Sequence, residues 1–236
     1  MRFTSLPPDP NRPHHRPRRN RPRRKRRQRR PLMRLTPTAW AKLVFLRDYG
    51  PTEVGGFGIT TSDHLLQIDD VMLVRQRCTE TFVAFDDESV AEFFENQIDA
   101  HLRPEQFARI WIHTHPADSA EPSPTDHETF ERVFGHCDWA VMLILARNDS
   151  THAELHWRQE GPVRLPMDVL VDSGEPFPES DFAAWEEEYV ASVQRLSTHS
   201  LDLDDSLDAK SHSLHDPFEP PCPDITPPFQ THPDTP

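Results

Sequence analysis

A chain of 236 residues has room for one ordinary domain with tails, and with 35% hydrophobic residues and 25 prolines a good part of it falls outside any packed core. Its net charge of −13 hides an asymmetry: residues 1–30 hold thirteen Arg or Lys against the lone Asp9, so subtracting that +12 leaves −25 on the remainder. So acidic a body repels phosphate backbones and leaves any nucleic-acid contact to the basic arm.

Three widely spaced cysteines without a CxxC give neither a disulfide framework nor a cysteine zinc site, which fits a reducing cytoplasm. The longest apolar run, 139–146, is too short to cross a bilayer, and no secretory h-region follows the basic N-terminus. In chain order, residues 16–30 are dominated by Arg and Pro, and 1–32 reads as a disordered basic arm. That arm is either an electrostatic hook for RNA, DNA or an acidic partner, or an extension upstream of a start at Met33.

Thr36 as N-cap, with Pro37 at the first helical position and Leu35 set to staple onto Trp40, predicts a helix to about Arg47. Strands at 54–59 and 65–74 around a Thr-Ser-Asp turn form a hairpin, and another strand follows at 81–85. Asp86 or Asp87 caps an amphipathic helix with Val90, Phe93, Phe94, Ile98 and Leu102 inward.

A strand over 107–113, a Pro- and Ser-rich loop, and a helix opening at Ser123-Pro124 and stopped by Gly135 come next. The run 139–146 reads as a buried strand, 154–158 as its neighbour, and 163–171 as an edge strand broken by Pro166. A last helix over 181–196 carries Phe182, Trp185, Tyr189, Val193 and Leu196 on one side, either to pack on the domain or to dock a protein partner. The acidic, Pro-rich stretch 197–236 reads as a disordered tail.

Alternation along Ile110-Trp111-Ile112-His113-Thr114-His115-Pro116 puts His113 and His115 on one sheet face, where two imidazoles can chelate one ion; alone, the pair equally describes two ordinary strand histidines. Pro116 ends the ladder and leaves the pair at a strand terminus. Downstream, Ser123 and Asp126 can return a hydroxyl and a carboxylate to that mouth, and the same two residues spell a capping box; both roles can coexist. Glu53 is followed by Gly55, Gly56 and Gly58, three of the chain's 7 glycines, which permit close backbone approach.

Taken in order, Glu53-Val54-Gly55-Gly56, His113-Thr114-His115-Pro116 and Ser123-x-x-Asp126 resemble the E…HxHP…SxxD pattern of the JAMM (JAB1/MPN+) zinc metallo-isopeptidases, of the prokaryotic JAB-domain type, over roughly residues 36–171. The resemblance implies an α/β (α+β) fold over 33–172, a single mixed sheet flanked by helices with cytidine-deaminase-like layering, followed by a linker and helix over 173–196. It implies one zinc ion per chain on His113, His115 and Asp126 with water as fourth ligand, Glu53 as general base, and Ser123 as hydrogen-bond donor to the oxyanion.

The substrate class implied is an amide or isopeptide bond following a ubiquitin-like modifier. Two alternatives share the fold: a noncatalytic MPN-type interaction module, and a RadC-like protein using the basic arm on DNA. The P-C-x-x-C of zinc nucleobase deaminases and the H-E-x-x-H of thermolysin-like proteases are absent.

Overall fold

The computed structural model describes residues 29–159 and 161–196; the tail over 197–236 and the arm over 1–28 lie outside the described residues. Strand β1 (Leu32–Leu35) begins inside the segment assigned to the arm and carries Met33 and Leu35 into the core. The four residues Leu32–Leu35 are too few for a periodic signal. Thr36 caps α1 (Pro37–Tyr49) as expected, its Oγ1 accepting from the Ala39 N–H at 3.2 Å.

The hairpin of β2 (Gly55–Thr61) and β3 (His64–Met72) forms, and β4 (Gln76–Thr79) pairs with β5 (Phe82–Phe85). Asp86 caps α2 (Asp87–Asp99), where Phe93 stacks on Phe57 with ring centroids 5.0 Å apart. Ile98, expected inside, is exposed: the buried stripe runs Ser89, Phe93, Gln97, and the next residue stands about 100° round the helix. A short helix, α3 (Pro104–Phe107), occupies the start of the strand expected from Phe107, and β6 (Ile110–His115) begins only after it.

Beyond β6 come α4 (Pro124–Phe134), β7 (Trp139–Ala146), β8 (Thr151–Trp157), β9 (Val163–Pro166), β10 (Asp168–Val171), α5 (Phe182–Ser192) and β11 (Val193–Arg195). Eight strands make a mixed sheet in the order β10-β1-β3-β2-β6-β7-β8-β9. The expectation of a single sheet needs correction, because β11, β4 and β5 form a second, three-stranded one.

The segment read as one broken edge strand is two strands at opposite ends of the sheet, with Met167 alone between them. Pro166 has no donor with which to extend the β8 ladder. The chain therefore crosses over: Met167 N–H donates to Ala153 O at 2.8 Å on one side and Asp168 N–H to Pro31 O at 2.9 Å on the other. Joining both ends of the sheet across one residue requires it to curl until they meet. Its inner face packs on α1 through Leu35, Leu43, Leu46, Ile68, Ile112 and Leu143, while Phe57, Phe93, Phe107, Trp111, Phe130 and Met142 fill the outer layer with α2 and α4.

Helix α5 uses its apolar stripe within the chain, so the partner-docking face expected over 181–196 is largely covered. Trp185 packs 5.7 Å from the Phe45 ring and Tyr189 4.7 Å from Tyr49, leaving Phe182 and Val190 exposed. Val193, expected on the helix, instead opens β11 beside β4, and Leu196 N–H donates to Cys78 O at 2.9 Å. No helix among the described residues is long and apolar enough to cross a membrane.

Candidate metal centre

Strand β6 is central, antiparallel to β2 and parallel to β7, and every residue of it is buried. Ile110 and Ile112 face the α1 layer; Trp111, His113 and His115 face the other, where Trp111 stacks on the His113 ring at 4.3 Å. At its C-terminal end the strand meets the N-terminus of α4, which supplies Asp126.

The Nε2 atoms of His113 and His115 are 3.2 Å apart. Asp126 Oδ1 lies 3.3 Å from His113 Nε2, and Asp126 Oδ2 lies 3.7 Å from His115 Nε2. A tetrahedral ion with arms of about 2.0–2.2 Å has edges of about 3.3–3.6 Å, close to the His113–His115 spacing and to that between His113 and Asp126 Oδ1. Ligand atoms of the three residues all fall within 4.8 Å of one another, forming a group able to hold a metal ion.

Neighbouring groups fix each donor. The Nδ1–H of His115 donates to Ser119 O at 2.8 Å, which turns its Nε2 lone pair toward His113 and Asp126. Ser123 closes a capping box with Asp126: its N–H donates to Asp126 Oδ2 at 2.6 Å, and its Oγ accepts from Asp126 N–H at 3.1 Å. The box and the metal-type geometry coexist, since the carboxylate uses different lone pairs for each.

Glu53, just ahead of β2, is buried, with its Oε1 3.7 Å from His115 Nε2. Its backbone is held from both sides: Glu53 N–H donates to Thr79 O at 2.8 Å, while Val54 exchanges bonds with Thr114, at 2.9 Å backbone to backbone and 3.0 Å to the Thr114 hydroxyl. The Gln76 side chain adds a further pin, accepting from Gly55 N–H and donating to Gly55 O, both at 2.8 Å. The glycines are needed for this closeness: a Cβ on Gly55 would meet Phe85 and Val83 of β5 at 2.8 and 2.9 Å, and one on Gly56 would meet the Met72 carbonyl oxygen at 2.7 Å.

No protein-family model matches this chain. No curated relative matches it either. Among solved structures it is similar to the solution structure of protein DSY2949 from Desulfitobacterium hafniense, with 15% sequence identity and a TM-score of 0.41 over 63% of this chain and 95% of that one.

The electrostatics follow from the enclosure. Burial pushes the Glu53 carboxyl up to about 8, against an opposing pull from His115. For Asp126 burial acts upward too, but hydrogen bonds from His113 and His115 outweigh it and hold that carboxyl well below the usual carboxylate range. Burial lowers His113 and keeps its imidazole neutral; at His115 the bonds to Asp126 and the Ser119 carbonyl overcome burial and raise the pKa. One carboxylate stays ionised beside the histidines while the other holds a proton to above neutrality, and the difference lies in which accepts hydrogen bonds.

All five residues singled out in the sequence thus converge: His113, His115 and Asp126 on one point, Glu53 beside His115, and Ser123 on Asp126. Sequence reading missed Gln76, Thr114 and the Ser119 carbonyl. Thr114 sat visibly between the histidines, whereas Gln76 and a backbone carbonyl carry no signal until β4 and the loop after β6 are in place.

Proposed function

We propose that the chain is a zinc-dependent hydrolase of amide or isopeptide bonds of the JAMM type, with JAB/MPN-like layering, acting on a bond that follows a ubiquitin-like protein modifier. The observation that carries this reading is the meeting of His113 Nε2 and His115 Nε2, 3.2 Å apart, with the Asp126 carboxylate, whose Oδ1 lies 3.3 Å from His113 and whose Oδ2 lies 3.7 Å from His115, and with the Glu53 carboxyl alongside. Two imidazoles and one carboxylate, with no cysteine among them, are the donor set of a catalytic zinc site rather than a closed structural one. His113, His115 and Asp126 would hold one zinc ion per chain, which supplies Lewis acidity and brings the pKa of a coordinated water toward neutrality.

The protein's own groups account for the rest. Glu53, whose proton is held up to about pH 8, is suited to exchange a proton near neutral pH and to return it to a departing amine. Ser123 sets its hydroxyl against Asp126, accepting the Asp126 N–H at 3.1 Å and helping to lower that carboxyl's pKa; it is the group we assign to the developing oxyanion. Cys78 is no rival nucleophile, since burial pushes its thiol up to about 12. Cys78 and Cys137 are buried thiols, in keeping with a reducing, cytoplasmic setting.

The test is metal analysis of the purified chain, followed by incubation of the zinc-loaded protein with modifier–lysine and modifier–peptide fusions. We expect about one zinc per chain and cleavage abolished by a chelator, by His113→Ala and by Glu53→Gln, with Glu53→Gln retaining the metal. Undiminished cleavage by Glu53→Gln refutes the mechanism. Absence of cleavage across modifier fusions, with zinc present, refutes the substrate class.

A further inference from the structure

A histidine that binds a metal through Nε2 carries its proton on Nδ1, and that N–H normally donates to a carboxylate, a carbonyl or a water. His115 obeys through Ser119 O. His113 does not: its ring is almost fully buried, and Nδ1 meets no hydrogen-bond partner.

A second buried ring nitrogen in the same position is Nε2 of His152, on β8. Strand register relates the two. His113 is paired with Ile144 of β7, and Ile144 with His152, so the three form one row across β6, β7 and β8. Ile144 packs in the outer, α4-side layer, and residues in one row of a sheet share a face, so both imidazoles stand on that side. Two strand spacings separate their Cα atoms by about 9.5 Å. Ile144, itself fully buried, lies between them in the row.

We propose that His152 is a positioning residue for the metal centre: its Nε2 accepts, through one buried water, the Nδ1–H of His113 and so holds the His113 ring with Nε2 toward His115 and Asp126. One donor and one acceptor are thereby satisfied together, which leaves the His152 proton on Nδ1. The inference rests on the metal-centre reading above and adds the residue that sets its tautomer and ring angle.

Zinc dissociation constants, measured on the full chain by chelator competition, test it with His152→Ala, His152→Gln and His113→Ala. His152→Ala should weaken zinc by about 10- to 100-fold, and His152→Gln, whose amide oxygen can take the place of Nε2, should return to within about threefold of the wild type. In parallel, proton NMR of the zinc-loaded wild type should show an exchange-protected imidazole N–H that vanishes in His113→Ala, exchanges rapidly in His152→Ala and is protected again in His152→Gln.

Zinc affinity in His152→Ala equal to wild type, or failure of His152→Gln to restore it, overturns the assignment. So does a wild-type spectrum without the protected N–H, a result that needs no variant to fold. Loss of zinc in His113→Ala with full retention in His152→Ala sinks this inference alone; undiminished zinc in His113→Ala sinks the metal centre with it.

Discussion

Glu53→Gln isolates the cost of enclosing a carboxylate beside the metal-binding group, and it can be read without any substrate. In the folded, metal-free chain Glu53 keeps its proton up to about pH 8, whereas its ordinary value is 4.5, and burial is the main cause. Between those limits the folded state binds more protons than the unfolded one, so this residue's contribution to stability is full below 4.5 and is lost as pH rises toward 8. Glutamine has no such dependence.

From pH 5.5 to 8 the stability gap in favour of Glu53→Gln should therefore widen by about 1.4 kcal/mol per pH unit, or about 3 kcal/mol as an upper figure. Urea unfolding of both chelated proteins at several pH values measures it. With zinc bound the gap should shrink, because a nearby cation favours the carboxylate. A metal-free gap that stays constant over the whole range would refute the claim that Glu53 is held in a desolvated site.

Ser123→Ala should separate capping from chemistry: stability falls by about 1 kcal/mol for the lost cap, zinc content is unchanged because Asp126 still accepts from the backbone N–H of residue 123, and turnover drops by about a hundredfold. Gly55→Ala forces a Cβ against Phe85 and Val83 and should cost about 1–3 kcal/mol in chemical denaturation while loosening the β4–β5 hairpin that steadies Glu53. Zinc affinity should weaken as pH falls from 7 to 5.5, since the raised pKa of His115 means a proton must leave before metal binds; a pH-independent affinity from chelator titration would contradict the assigned ligand.

The local grammar of this chain was legible from its residues. Thr36-Pro37, Asp86 and Ser123-Pro124 each placed a helix start, because a cap acts within three residues of itself. Alternation likewise put His113 and His115 on one face, because side-chain direction in a strand is set by the backbone alone. The five candidate site residues came together in the sequence only through the resemblance of their segments to the E…HxHP…SxxD pattern.

What the sequence could not express were pairings made at long range. Val193 carries the same apolar character in a helix as in a strand, and only the free edge of β4 decided for β11. The closure of the sheet across Met167 depended on both of its ends being present, and so did the recruitment of Leu32 into β1. Glu53 and Asp126 are 73 positions apart, and their opposite pKa shifts arise only when folding buries both and gives hydrogen bonds to one. Sequence alone determined which side chains were available and which way each local segment turned; the tertiary structure decided which of them meet, because burial and hydrogen bonding belong to pairs that the chain brings together only on closing.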